Sequence, residues 1–318
     1  MEDRVLAAQL SEIVEKYGSF TAQNMRLANG VYTIDSRVNY DHFKLHRIKQ
    51  VLADLGYLRP GLRALDIASL KGMFSIELAL EGLSVVSVEG REQNIQRGIF
   101  CARALGANSI EFRKDDVNNI RVSEYGEFDV VLCMGILYHI AIDRYADFLR
   151  HVAGCCRGVL VIDSFIALHD DQEVLADGFT YPGTTWQEFA PGASAEEQEK
   201  TSHASLGNDA SFAMTKEALL AFLARQGFST IMEVQVPMQP GQPVDRPTLI
   251  CFRGTPRPLS VFPEFDYERD FDMAADTRGT PAMNMAPWNL PRRTLSRRTL
   301  RALLGEKWSA RVRRLLSR

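Results

Sequence analysis

Three carboxylates stand at or just beyond the ends of successive apolar runs in this chain. Asp66 closes Arg63-Ala64-Leu65, Glu89 closes Val85-Val86-Ser87-Val88, and Asp116 lies just beyond Ser109-Ile110-Glu111-Phe112. Each run is strand-sized, and the first opens into a small-residue turn, Ile67-Ala68-Ser69-Leu70-Lys71-Gly72. Open α/β sheets bind ligands outside the carboxyl ends of their strands, where an acid can accept hydrogen bonds from both hydroxyls of a ribose. The pattern points to a nucleotide-type cofactor. A fourth run, Phe128 to Met134, leads into Gly135-Ile136-Leu137-Tyr138-His139 and brings an imidazole to the same end of the sheet. Imidazole is the side chain best suited to take a proton near neutrality, so His139 is the candidate general base. Tyr138 is expected to shape its pocket, and Asp163, after Val159-Leu160-Val161-Ile162, is the second candidate as base or orienter.

Each acid also has a structural reading. Asp66 alone could cap a turn, Glu89 could start a helix as a dipole-favoured acid, and Asp116 could be a turn residue. Their order along three successive strand ends favours the cofactor reading. His139 could instead pack or hydrogen-bond at the start of a helix, and Asp163 could cap the loop after it.

The elements that must position these groups alternate. Strands are expected at Ala64–Ile67, Val85–Val88, Ser109–Phe112, Phe128–Met134 and Val159–Asp163, with helices near Met73–Leu80, Glu92–Leu105 and Arg144–Cys155. That alternation implies parallel βαβ units. Before it, Leu6, Leu10, Ile13 and Val14 and then Phe43, Ile48, Val51 and Leu52 recur at helical spacing, which predicts an N-terminal helical cap over 1–57. After Asp163 the rhythm stops. Residues of about 165–212, rich in Gly, Pro, Thr and charge, are expected to form a lid or substrate insertion. A helix near 215–227 and β-rich runs at Thr230–Val236 and Thr248–Phe252 then suggest an antiparallel pair at the sheet edge.

With 318 residues, 46% hydrophobic and 24% charged, the chain can bury a full core. No apolar run is long enough to span a membrane and the N-terminus lacks signal-peptide character, so a cytoplasmic location is expected. Five cysteines without C-x-x-C spacing read as reduced core residues. His169-Asp170-Asp171 reads as a solvated turn, and no metal is expected. From Arg292 to Arg318 there are ten Lys or Arg against one Glu, so a formal net charge of −3 conceals a basic tail on an acidic body. Leu300, Leu304, Trp308, Val312 and Leu315 share one face of that segment at helical spacing. A basic amphipathic helix over 292–318 could dock on its own protein, contact nucleic acid, or lie at the inner face of a membrane.

Taken together, these residues resemble the class I S-adenosylmethionine-dependent methyltransferases, from about Leu58 to Phe252. In that family the first strand leads into Asp/Glu-x-Gly-x-Gly-x-Gly, and the corresponding run here is Asp66-x-Ala68-x-Leu70-x-Gly72. The resemblance implies an α/β, Rossmann-like, doubly wound and mostly parallel seven-stranded sheet with helices on both faces. It implies a methyltransferase domain over 58–254, with an irregular extension at 255–291 before the tail. S-adenosylmethionine is the implied cofactor, with Asp66, Ala68, Ser69 and Gly72 near its methionine part. Glu89 would take the ribose and Asp116 the adenine amino group, while Gly90, Val117 and Met134 complete the set.

The implied reaction is methyl transfer to a hydroxyl oxygen, with nitrogen as the alternative, on a small-molecule or glycan-like acceptor. Tyr32 and Arg37 from the cap, and Trp186, Glu188, Asn208 and Phe212 from the lid region, are the expected acceptor contacts. Met-Gly-x-Leu-Tyr-His segments also occur in a tRNA wobble-uridine modifying family, so an RNA-modifying enzyme stays open. So does a degenerate cofactor-binding scaffold whose tail binds a membrane or partner.

Overall fold

A computed structural model of the chain describes residues 2–37, 39–201, 203–234 and 243–254. The chain begins with α1 (Glu2–Tyr17), a two-stranded hairpin of β1 (Arg26–Ala28) and β2 (Val31–Tyr32), and α2 (Tyr40–Asp54). Asn39 caps α2 by accepting from the His42 backbone N–H, while His42 answers through its ring. Residues 2–54 thus include two helices joined by a hairpin that turns at Gly30, where φ is +74°.

The central alternation follows as β3 (Arg63–Ile67), α3 (Met73–Leu80), β4 (Ser84–Glu89), α4 (Glu92–Leu105), β5 (Ile110–Lys114), the short α5 (Val122–Tyr125), β6 (Phe128–Met134), α6 (Ile142–Cys155) and β7 (Cys156–Asp163). After an insertion come α8 (Lys216–Arg225), β11 (Phe228–Glu233) and β12 (Thr248–Arg253). The seven strands lie in the order β11-β12-β7-β6-β3-β4-β5. All pairings among β3 to β7 are parallel, and β12 runs antiparallel to both its neighbours. The mostly parallel, Rossmann-like sheet expected from the sequence is the sheet observed.

Its strands are buried on both faces because residues alternate between two cores. Leu65, Ile67, Val131, Cys133, Leu160 and Ile162 face a core completed by Phe148, Leu149 and Val152 of α6 and by Phe222 of α8. Ala64, Val130, Leu132, Val159 and Val161 face the other, completed by Leu45, Ile48 and Leu52 of α2, Ile76 of α3 and Cys101 of α4. Burial of each aliphatic side chain of this size contributes about 1.5–3 kcal/mol. All five cysteines are buried free thiols.

The segment expected to be a lid or substrate insertion contains a second sheet. It consists of β8 (Gln172–Ala176), β9 (Phe179–Gln187) and β10 (Ala210–Met214), antiparallel in the order β10-β9-β8, with the short α7 (Ala195–Lys200) between β9 and β10. Pro182 and Gly183 hide β9 from sequence inspection, since both are poor residues for a central strand. The structure shows why the glycine is there: a Cβ at 183 would stand 2.1 Å from the Ala213 carbonyl oxygen and 2.4 Å from the Phe212 ring.

Among the described residues no helix is long and apolar enough to cross a membrane. The chain divides into units Met1–Arg257 and Pro258–Arg318. The extension at 255–291 and the basic tail at 292–318 lie outside the described residues.

Candidate active site

The turn after β3 is built on left-handed backbone. Ala68, Leu70 and Gly72 have φ of +55°, +53° and +74°, so alternate residues take a conformation that costs L side chains about 1–2 kcal/mol each. The turn is held open from both sides. Gln23 Nε2 donates to the Ser69 carbonyl (3.1 Å), while Gln23 Oε1 accepts from the backbone N–H groups of Lys71 and Met73, each at 3.1 Å. Glu89 Oε2 accepts from Leu70 N–H (3.0 Å). Lys71 is fully buried, donates its ammonium to Thr21, and has its pKa lowered to about 8 by burial.

Asp66 is turned away from solvent beneath this turn. Ser75 Oγ donates to Asp66 Oδ2 (2.6 Å), and the hydroxyls of Ser75, Ser87 and Ser69 continue a buried chain at 3.0 and 2.8 Å. Burial raises the Asp66 carboxyl to about pKa 7. Asp66, Ser69 and Gly72 thus shape and support the turn, whereas Ala68 and Leu70 line the cavity beside it. A Cβ at Gly72 would meet the Phe112 ring at 3.0 Å, so that glycine serves packing as well as φ.

That cavity, about 720 Å³, runs along the carboxyl ends of β3, β4, β5, β6 and β7. Glu89, Gly90, Asp116, Val117 and Met134 line it as expected from the sequence. Glu89 Oε1 accepts from Arg91 N–H (2.9 Å) and Asn94 Nδ2 (3.2 Å), which leaves acceptor capacity on Oε2 beyond the Leu70 bond. Burial raises its pKa. Asp116 Oδ1 accepts from the backbone and side-chain nitrogens of Asn118 and caps the turn Val117–Asn119. Among the described residues Oδ2 takes no hydrogen bond. The turn reading and the cavity reading of Asp116 therefore hold together.

The insertion borders this end of the cavity. Arg91 donates to the carbonyls of Gln198, Glu199, Thr201 and Ala204 at 2.9–3.3 Å, which ties the end of β4 to the last turn of α7 and the chain after it. Leu206 then lies against Gly90, where a Cβ would stand 2.8 Å from its Cδ1. Asn208 lines the same cavity.

At the other end, the chain leaving β6 makes a short turn over Leu137–His139. His139 Nδ1 lies 2.9 Å from both Glu188 oxygens. A carboxylate only accepts, so Nδ1 carries the hydrogen and a neutral ring keeps its lone pair on Nε2. Glu188 also accepts from Ser211 Oγ and from Ser205 N–H (2.6 Å). Burial would raise its pKa, but these bonds and His139 bring it below the ordinary value. His139 and Tyr138 also face a second cavity of about 550 Å³, lined by Phe165, Thr184, Trp186 and Glu188. The two cavities adjoin at Tyr138, His139, His203 and Ala204. Burial raises the Tyr138 pKa.

Asp163 is fully buried and bound by Lys44 Nζ (3.0 Å), Arg246 Nε (2.7 Å) and Thr248 Oγ1 (2.7 Å). Burial pushes its pKa up, but the two cations pull it below the ordinary value. It stays ionised and orients Lys44 and Arg246, which disfavours the base role raised for it.

Three other expectations shift on structural grounds. Phe212 is fully buried edge-on against Tyr145, so it supports the core under the lid and touches no cavity. Tyr32 pairs with Arg26 in the hairpin, and Arg37 is an exposed partner of Asp35; neither lines the cavities. Glu188 holds the imidazole instead of standing free for an acceptor. Gln23, Lys44, Arg91, His203 and Arg246 are site residues that sequence reading missed, since each is a single polar residue outside any motif.

Comparison with known proteins gives concordant results. The profile described as a methyltransferase domain matches residues 58–202. An O-antigen chain terminator bifunctional methyltransferase/kinase from Escherichia coli is 28% identical over 109 residues, 31% of this chain and 15% of that protein. A ubiquinone biosynthesis O-methyltransferase from Caulobacter sp. (strain K31) is 34% identical over 93 residues, 29% of this chain and 36% of that protein. The matches thus span well under half the length of these curated relatives. The N-terminal domain of EvdMO1, solved in the presence of SAH and D-fucose, superposes with a TM-score of 0.59 at 20% identity, covering 80% of this chain and 98% of that one.

Proposed function

We propose that this chain, whose residues 58–202 match a methyltransferase-domain profile and whose fold is that of the S-adenosylmethionine-dependent methyltransferases, methylates a hydroxyl oxygen of a small sugar-like acceptor, with His139 as general base. The observation that carries this reading is the His139–Glu188 pair at the junction of the two cavities.

The residues present fit the cofactor. Glu89 Oε2 and Asp116 Oδ2 retain acceptor capacity toward ribose hydroxyls and an adenine amino group, and the turn at Ala68 and Leu70 borders the same space. When bound, the cofactor supplies an electrophilic methyl group on sulfur. The chain's own contribution is to align the acceptor and remove its proton. Nε2 of His139 takes the hydroxyl proton as the oxygen–carbon bond forms and the carbon–sulfur bond breaks, its electron pair staying on sulfur. Glu188 stabilises the resulting imidazolium and fixes the ring.

Acceptor class is supported by the aromatic lining of the second cavity. Trp186, Phe165 and Tyr138 line it, aromatic rings of the kind that stack on the apolar side of a sugar, and relatives with matching segments include an O-antigen chain terminator bifunctional methyltransferase/kinase. The test is transfer of a labelled methyl group to D-fucose and to related sugars, with mass analysis of the product. Label in an alkali-stable methyl ether supports the reading, and turnover left unchanged by His139→Ala would remove the base assignment.

A further inference from the structure

Arg246 stands just before β12 and reaches into the main cavity. Its Nε is committed to Asp163, and its guanidinium carbon lies 5.3 Å from the Tyr138 ring centroid and 5.1 Å from that of Phe165. The plane is thus fixed by one ion pair and two aromatic rings, with the side chain 25% exposed. Among the described residues NH1 and NH2 make no hydrogen bond. NH2 approaches the Gly135 backbone so closely that a Cβ there would stand 2.9 Å from it. A pre-oriented edge of N–H donors on a residue that lines the cavity is the geometry that takes a carboxylate in two parallel bonds, and lysine could not reproduce it.

The charges around it permit such a guest. Asp163 is shared by Lys44 and Arg246, and Lys44 also lies 3.4 Å from Asp41, so Asp163 is already met by two cations. The sulfonium cofactor adds one net positive charge to the same cavity, which an anionic acceptor would offset.

We propose that the terminal guanidinium edge of Arg246 recognises a carboxylate on the acceptor, which makes the preferred substrate a hydroxyl-bearing acid of the uronate type. This rests on the methyltransferase reading but not on the role of His139. The test is calorimetric titration of the full chain, saturated with S-adenosylhomocysteine, with D-galacturonate and with D-galactose, which differ only in the acid at carbon six. Galacturonate should bind at least tenfold more tightly, and Arg246→Gln and Arg246→Lys should both abolish the difference while leaving affinity for S-adenosylhomocysteine unchanged. Thermal melts of both variants check folding, the lysine variant keeping a cation beside Asp163.

Equal binding of the two sugars, no binding of either, or a preference that survives both variants would overturn the proposal. Loss of S-adenosylhomocysteine affinity in the variants would instead assign Arg246 to the cofactor and also overturn it. Failure of the methyltransferase reading is separate: it would appear as no S-adenosylhomocysteine binding by the unaltered protein.

Discussion

Glu188 presents both carboxylate oxygens to His139 Nδ1 at 2.9 Å, across a separation of 49 residues. One hydrogen shared by two oxygens holds the ring plane and decides its tautomer. Because Ser205 N–H and Ser211 Oγ hold Glu188 in turn, the lid segment sets the orientation of a group that leaves β6.

His139→Ala is expected to lower kcat by about 10²- to 10⁴-fold, the usual contribution of a positioned base. Glu188→Gln should also lower kcat, since an amide can present its NH2 to Nδ1 and stabilise the wrong tautomer. Calorimetry with S-adenosylhomocysteine should show unchanged affinity in both variants. A weakened cofactor site would mean that the substitutions act through the fold.

The left-handed turn predicts an order of stabilities. Leu70→Val places a β-branched side chain at φ +53° and should destabilise the protein by about 1–2 kcal/mol. Leu70→Gly relieves the strain but frees the unfolded chain, so its melting temperature should equal or exceed that of the unaltered protein. A valine variant as stable as the parent would contradict the conformation.

Asp66 predicts a pH dependence. Its carboxyl titrates at about 7 when folded against an ordinary 3.8, so between those values the folded protein holds a proton that the unfolded chain has released. Stability from this group is present below about pH 4 and declines as pH rises to about 7. Denaturant midpoints of the parent minus those of Asp66→Asn should fall across that window and then level off. A difference independent of pH would show that Asp66 is ionised in the folded state throughout.

Arg91→Met removes the donors that tie four lid carbonyls to the end of β4. Limited proteolysis should then cut within residues 190–208 markedly faster, while the melting temperature changes little because the two cores are untouched. Equal cleavage rates would mean that other contacts close the lid.

How far the sequence reveals this arrangement depends on what marks each residue. Asp66, Glu89 and Asp116 are legible because apolar runs announce the strands they follow, and Met134 to His139 because β6 ends there. The order of the parallel strands follows from the alternation with helices. Glu188 is not legible as the partner of His139, since pairing across 49 residues leaves no local trace, and Pro182 and Gly183 disguise the strand that it follows. Arg246 and Lys44 converge on Asp163 only because α2 and the approach to β12 meet at one end of β7. Phe212 looked available because its segment lacks periodicity, yet the second sheet buries it fully.

A single residue, Gly90, separates Glu89, the acid that ends β4 in the cavity, from Arg91, which binds four carbonyls of the insertion. Glu89 Oε1 also accepts from the Arg91 N–H, so a ligand that engages the Glu89 carboxylate bears directly on Arg91. Such a connection predicts an ordered cycle, in which the cofactor enters before Arg91 engages its four carbonyls and the spent form leaves after they are let go. Product-inhibition patterns should then be competitive between the cofactor and its spent form alone, with the acceptor arriving second and its product departing first.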